Sequence, residues 1–278
     1  ELDPYVPIAS VGKVIVGLRW NDPAILDHLM KVIREQQIHI VLPFVDPATV
    51  IASTLKKRIG NDVFIPVPDE EVCRTMFDKS LAHEWFLAND FTVPAVDDQL
   101  PLIAKPKKGS ASSGLVVMRT ENERKCFLQN YNAADYLIQR WINADEYTVD
   151  CYVGKKGEIL SVIPRKRLEV TSGESTKSIT DRDEEMIVVS KKILSTKGFS
   201  GPVTIQFLKE KETGKRYVME INPRFGGGVL TSIHAGANIP LMILNDLQGL
   251  QNSAVEKWTE QLVMTRTFRE FYYHATNH

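Results

Sequence analysis

Short apolar segments alternate with amphipathic ones from the start of the chain. Val14-Ile15-Val16, Ile38-His39-Ile40-Val41-Leu42-Pro43 and Val63-Phe64-Ile65-Pro66 have the length and apolar content of buried strands. Between the first two, Ile25, Leu26, Leu29, Val32 and Ile33 recur at helical spacing. Asp22 is placed to cap that helix and Pro23 to stand at its first position. Between the second and third, Asp46-Pro47 opens another helix, which runs to Ile59 and stops at Gly60-Asn61. This alternation predicts a parallel, right-handed α/β unit over residues 1–66. A first strand and a glycine-rich turn normally open such a unit. The chain enters instead with Glu1-Leu2-Asp3-Pro4, so an N-terminal piece is expected to be missing.

Beyond residue 66 the pattern changes. Residues 69–89 read as two helices broken near Asp78. Strands over 102–106, 115–118 and 136–142, with a helix over 122–130, make a β-β-α-β order. That order predicts a small antiparallel subdomain over about 95–140. A larger subdomain follows over about 141–278, with a mixed sheet from residue 146 and helices at 181–197 and 240–250. No internal repeat or low-complexity tract interrupts it.

The chemistry concentrates in Glu220-Ile221-Asn222-Pro223-Arg224-Phe225-Gly226-Gly227-Gly228. On a strand, residues two apart share a face, so Glu220 and Asn222 point the same way. Pro223 ends the strand, and Arg224 emerges beside the two oxygens. Hard oxygens suit magnesium, and an adjacent fixed cation suits phosphate. Upstream, Val203-Thr204-Ile205-Gln206-Phe207-Leu208 reads as a strand, joined to Arg216-Tyr217-Val218-Met219-Glu220-Ile221 by a polar turn. A turn centred on Thr213 sets Gln206 opposite Glu220, which brings three oxygen-bearing side chains together. A slip of one residue breaks that arrangement.

Three further segments carry two readings each. Residues 107–114, with two glycines, three serines and two lysines after Lys105, form either a phosphate cradle or a surface hairpin. Residues 137–146 are either core or a surface for a flat ring, with Gln139 and Trp141 on one face and Glu146 able to accept from ribose hydroxyls. The stretch from Arg165-Lys166-Arg167 through Lys177 is too long for a tight hairpin, which leaves solvated surface or an active-site lid. Of these, Lys177 reads as surface and the Arg165–Arg167 cluster as anion-binding.

Composition narrows the field. A net charge of −1 gives no electrostatic reason for nucleic acid or an anionic membrane as the main partner. No apolar run approaches the roughly 20 residues of a membrane helix, and no signal peptide is visible at the start. Cys73, Cys126 and Cys151 lack metal or redox spacing and read as reduced, buried thiols of a cytoplasmic protein. The histidines lack paired ligands, and no G-x-S-x-G elbow supports a Ser–His–Asp hydrolase.

In combination and in this order, Lys79; Lys105-Pro106 with Gly109-Ser110-Ala111-Ser112-Ser113-Gly114; Gln139-Arg140-Trp141-Ile142 with Glu146; Gln206; and Glu220-Ile221-Asn222-Pro223-Arg224 resemble the ATP-grasp superfamily. The match is closest to its carbamoyl-phosphate-synthase large-subunit-like group of carboxylate–amine ligases. The resemblance implies a truncated pre-ATP-grasp (Rossmann-like) α/β domain over 1–66. Two α+β subdomains over 67–278 would clasp ATP. It implies that Lys79 and Lys105 contact phosphates, with Gly109, Ser110, Ser112, Ser113 and Gly114 closing over them. Gln139 and the backbone at Trp141 would read adenine, and Glu146 the ribose. Glu220, Asn222 and Gln206 would ligate magnesium, or manganese in its place. Arg224 would stabilise the transferred phosphoryl group, and Arg167 would hold the acyl phosphate or acceptor. Gln139 stands where relatives often carry an acidic residue, Gln206 is neutral where some carry a carboxylate, and Ser113 replaces a loop arginine of near relatives. The activity implied is an ADP-forming ligation of a carboxylate to an amine. A phosphotransferase or a non-catalytic ATP-binding module on the same scaffold is the alternative. A homodimer is the base-rate expectation for assembly.

Overall fold

The computed structural model describes residues 1–109 and 113–274. The N-terminal unit holds α1 (Ile25–Glu35) and α2 (Asp46–Ile59). α2 has the bounds its sequence predicts, with proline in its first turn and Gly60 as its cap at φ 68°. α1 starts later than the Asp22-Pro23 signal predicts. The Asp22 carboxylate accepts from the Ala24 N–H at 2.8 Å, so it organises a turn ahead of the helix. Of the three predicted strands, two meet in a single parallel bridge, Ile40 to Phe64, and residues 14–16 form none. Ile33, Ala52, Leu55, Val63 and Ile65 close this small core.

α3 (Glu70–Phe77) and α4 (Lys79–Ala88) meet at Asp78. Its carboxylate accepts from the N–H groups of Ser80 and Leu81, which stops one helix and starts the next. β1 (Leu102–Pro106), β2 (Val116–Met118), α5 (Glu121–Asn130) and β3 (Tyr136–Arg140) follow. The strands form an antiparallel sheet in the order β2-β1-β3. Leu102, Ala104 and Met118 pack on Phe127 of α5. Strand alternation then gives the opposite face to Ile103 and Lys105, with Gln139 opposite Ile103.

The rest of the chain comprises β4 (Ala144–Val153), β5 (Ile159–Thr171), β6 (Glu174–Thr180), α6 (Glu184–Leu194), β7 (Gly201–Glu210), β8 (Arg216–Asn222), α7 (Val229–His234), α8 (Ile239–Gln248) and β9 (Val263–Thr265). Six strands pair in the order β8-β7-β4-β5-β6-β9, antiparallel throughout, which corrects the predicted mixed sheet. The reason is local: β4–β5, β5–β6 and β7–β8 are hairpins, and the crossover through α6 lays β7 beside β4. The stretch predicted as a long loop after Arg165 is also corrected. It forms β5 and β6, joined by Ser172-Gly173 with φ 51° and 80°, the two positive values a tight hairpin turn requires.

The large sheet has two unlike faces. Val149, Cys151, Ile205, Phe207 and Ile221 pack with Met186 of α6 and Phe86 of α4. On the other face the register aligns Glu220, Gln206, Thr148 and Arg165 in one row, and Asn222, Thr204 and Asp150 in the next. A bulge makes this possible. Gln206 pairs with Glu220 and Phe207 with Val218, so Met219 is skipped. Val218 and Ile221 thereby both reach the core, while Glu220 and Asn222 look the other way.

Candidate functional site

A cleft of about 330 Å³ lies between the polar faces of the two sheets. Lys105 and Gln139 line it from the small sheet, and Glu146, Arg167, Gln206 and Glu220 from the large one. Asp46, at the start of α2, also lines it. The predicted pairing of Gln206 with Glu220 is the observed one.

The oxygen group is tightly knit. Asn222 Nδ2 donates to Glu220 Oε1 at 3.0 Å, which leaves Asn222 Oδ1 and the second carboxylate oxygen free of that bond. Gln206 Oε1 accepts from Arg167 Nη1 at 3.3 Å. Among the described residues no three His, Cys, Asp or Glu side chains group as a protein-only metal cage. One carboxylate and two amide oxygens instead fit magnesium, which keeps waters and phosphate oxygens in its shell.

Two lysines face the same space. Lys105 is 8 % exposed, and no ion pair among the described residues includes it. Burial pulls its pKa down, Glu220 pushes it up, and Lys79 adds to the lowering. An enclosed ammonium without a counter-ion is a strong anion receptor. Lys79 Nζ donates to Gly109 O at 2.8 Å, tying α4 to the turn after β1. Ser113 lines the cleft, and Gly114 has φ 71°. Ser110 and Ser112 lie outside the described residues.

At the other end of the small sheet the expected base-reading groups are partly engaged. The Trp141 N–H donates to Pro101 O at 2.9 Å, so that donor is unavailable. The next N–H, on Ile142, makes no hydrogen bond to a described residue, and Ile142 lines the cleft. Gln139 Nε2 contacts Pro94 O and His83 Nδ1, each at 3.1 Å. Glu146 is paired with Arg167 across the β4–β5 ladder, Nη1 to Oε2 at 2.8 Å. Arg167 also donates to Ser175 Oγ and Gly173 O, so it is fixed from four sides. Burial is the first cause lowering its pKa, partly offset by Glu146.

Arg224 is not the unpaired cation its sequence position suggests. Nε meets Asp46 Oδ1 at 2.5 Å and Nη2 meets Asp46 Oδ2 at 3.1 Å. Thr204 Oγ1 donates to Arg224 O at 2.9 Å and holds the backbone there. Of the basic cluster, Arg165 is spent internally, which corrects its reading as an anion binder. It is 2 % exposed and pairs with Asp150 at 2.7 Å. Ser232 donates to the same carboxylate at 2.6 Å. A Cβ on Gly228 would sit 2.6 Å from the Arg165 guanidinium, so the glycine loop rests directly on this pair. Lys166 pairs with Asp145, and Lys177 pairs with Glu169 on the surface.

Asp46, His83, Ile142 and Asp150 were not legible as site residues. Asp46 reads as a helix start and His83 as a lone histidine. Ile142 contributes only backbone, and Asp150 is a buried polar residue within the buried part of β4.

Comparison with known proteins agrees with this fold. A family model described as ATP-grasp in the biosynthetic pathway with Ter operon matches residues 132–268. The D-alanine–D-alanine ligase of Petrotoga mobilis is 27 % identical over 180 residues, covering 55 % of this chain and 58 % of that ligase. The carbamoyl phosphate synthase large chain of Clostridium beijerinckii is 26 % identical over 138 residues, 45 % of this chain and 13 % of that one. The chain thus spans under two thirds of these relatives. The biotin carboxylase domain dimer of Hydrogenobacter thermophilus 2-oxoglutarate carboxylase, solved with MgADP, ADP and bicarbonate, superposes with a TM-score of 0.71. It is 16 % identical and covers 88 % of this chain and 62 % of its own. Among the described residues no helix is long and apolar enough to cross a membrane.

Proposed function

For this chain, which belongs to the ATP-grasp superfamily and has its fold, we propose an ATP- and magnesium-dependent ligase activity that joins a carboxylate to an amine. The observation that carries the reading is the convergence of Gln206, Glu220 and Asn222 with buried Lys105 in one cleft. Bound magnesium would neutralise phosphate charge and orient the γ-phosphoryl group. Glu220, Asn222 and Gln206 would hold it. Lys105 and Lys79 bind the phosphates, with Gly109, Ser113 and Gly114 at the loop over them. Gln139 and the hinge backbone at Ile142 take the base, and Glu146 the ribose.

In this reading the substrate carboxylate attacks the γ-phosphorus, ADP leaves, and an acyl phosphate forms. The amine then attacks the acyl carbon and phosphate departs. Arg224 and Arg167 offset charge on the transferred group. No side chain becomes covalently linked, consistent with a site built from cations and oxygens. Assembly as a homodimer belongs to the same proposal.

Calorimetry of ATP with and without magnesium, wild type against Glu220→Ala, tests it. Binding that depends on magnesium in the wild type and loses that dependence in the variant supports the site. ADP release is then screened against pooled carboxylates and amines. ADP formed with no ligated product would point to phosphoryl transfer alone.

A further inference from the structure

Gln139 is 3 % exposed, yet it lines the cleft. Its amide nitrogen carries two N–H bonds, and both have acceptors: Pro94 O and His83 Nδ1, each at 3.1 Å. A carbonyl oxygen can only accept. Pro94 therefore fixes which end of the amide is nitrogen, because turning it over would set Oε1 against another oxygen. With the amide nitrogen donating, His83 Nδ1 must accept, and the ring proton must sit on Nε2. Burial, then the nearby Lys105 cation, hold the His83 pKa down and favour this neutral form. His83 is itself 7 % exposed on α4. Gln139 Oε1 makes no hydrogen bond to any described residue. What the side chain leaves for a ligand is an acceptor alone.

We propose that His83 is a positioning residue that locks Gln139 as an acceptor-only reader of purine position 6, so that the cleft selects a 6-amino over a 6-oxo purine nucleotide. This rests on the nucleotide-binding reading given above. A free glutamine can rotate its amide to serve either purine, because it both donates and accepts. Held by Pro94 and His83, it cannot. The exocyclic amino group of adenine donates to Oε1, whereas the oxo group of hypoxanthine sets acceptor against acceptor. Unpaired polar groups in a closed site are a strong basis for rejecting an analogue. The lock does the work of a carboxylate at this position without adding a negative charge near the phosphates.

The test is calorimetry with magnesium and either ADP or IDP, on wild type, His83→Phe and His83→Asn. Phenylalanine keeps the ring volume and has no acceptor, while asparagine restores one. The wild type is expected to prefer ADP. His83→Phe should erode the ADP/IDP preference by about tenfold, the scale of one hydrogen bond, and His83→Asn should retain it. An unchanged preference in His83→Phe would overturn the proposal. Two measurements need only the wild type. Purine riboside 5′-diphosphate, which lacks the position-6 substituent, should bind about tenfold more weakly than ADP, and equal binding overturns the proposal. Nitrogen NMR should place the His83 proton on Nε2, and a proton on Nδ1 overturns the lock. A wild type that binds neither ADP nor IDP ends the nucleotide reading itself. One that binds both equally ends only this inference.

Discussion

Arg224 and Asp46 stand 178 positions apart and form a two-pronged ion pair, with Nε–Oδ1 at 2.5 Å and Nη2–Oδ2 at 3.1 Å. Their neighbours follow suit: Phe44 stacks on Phe225 with ring centres 5.7 Å apart. Two short segments, one entering α2 and one after β8, are therefore clamped together by a charge pair and an aromatic pair. Both charged side chains are largely shielded, at 17 % and 13 % exposure, so this contact is more than a surface ion pair.

The pair should register as coupling. Asp46→Ala and Arg224→Ala should each lower the unfolding free energy by about 2 kcal/mol, and the double variant by clearly less than the sum. Urea denaturation of the four proteins measures this. Additive effects would mean that the two groups do not interact in solution.

Lys105 should trade stability for binding. A buried ammonium without a counter-ion costs folding free energy, so Lys105→Met is expected to raise Tm by a few degrees. The same variant should weaken ATP binding at least about tenfold, because it removes the enclosed cation that meets phosphate. Thermal denaturation and calorimetry on one sample separate the two effects. A drop in both would recast Lys105 as structural.

The Asp150–Arg165 pair under the glycine loop should behave in the opposite way. Removing either partner leaves the other buried and unpaired, and each of Asp150→Ala and Arg165→Met should cost about 3–5 kcal/mol. The double replacement by apolar residues should recover part of that loss. Chemical denaturation tests it, and single variants as stable as the wild type would sink the claim.

Glu70 gives the acid side of the stability profile a definite sign. Lys57 first, then Arg74, hold its carboxylate down to about 2, against 4.5 for an ordinary glutamate. A group depressed in the folded state contributes stability above its unfolded pKa and loses it as pH falls through its folded pKa. The window is therefore pH 4.5 down to about 2. Lys57 and Arg74 are well exposed, so the contribution is about 1 kcal/mol or less. Glu70→Gln should flatten that part of a stability-versus-pH curve, and an identical acid limb in both proteins rules the pair out as a contributor.

The thiols should divide one against two. Burial pushes Cys73 up to about 12 and Cys151 well above its usual value, while Cys126 on α5 is exposed, which corrects its reading as a buried thiol. Alkylation of the native protein at neutral pH should modify Cys126 alone, and all three after denaturation. Rapid native labelling of Cys73 would contradict its packing.

The elements that sequence marked well are those whose cause is local. α2 was bounded by Asp46-Pro47 and Gly60, and the break at Asp78 by its own capping bonds. The Gln206–Glu220 pairing followed from turn position and alternation. What failed depended on distant partners. The Arg165 stretch looked like a charged loop because its counter-ion, Asp150, comes from another strand. The apolar runs of the N-terminal unit form a single bridge and no full strands, because an apolar run does not specify how many neighbours will pair. The resemblance points to the backbone at Trp141 as a base reader, and only the Pro101 contact shows that its N–H is already used.

The skipped residue at Met219 has a consequence for how this chain can change over generations. Side-chain changes at that position leave the pairing register intact, since Met219 is paired with nothing across the ladder, but they reach the cleft that Met219 lines. Deleting it is another matter. Loss of one codon would restore regular alternation, with Val218 beside Glu220 as Phe207 is beside Gln206, and would keep Val218 and Ile221 inside and Glu220 and Asn222 at the cleft. The facing of the oxygen group is therefore indifferent to the presence of residue 219, and a lineage could lose or gain that bulge through a single in-frame change while Glu220 and Asn222 still looked into the cleft.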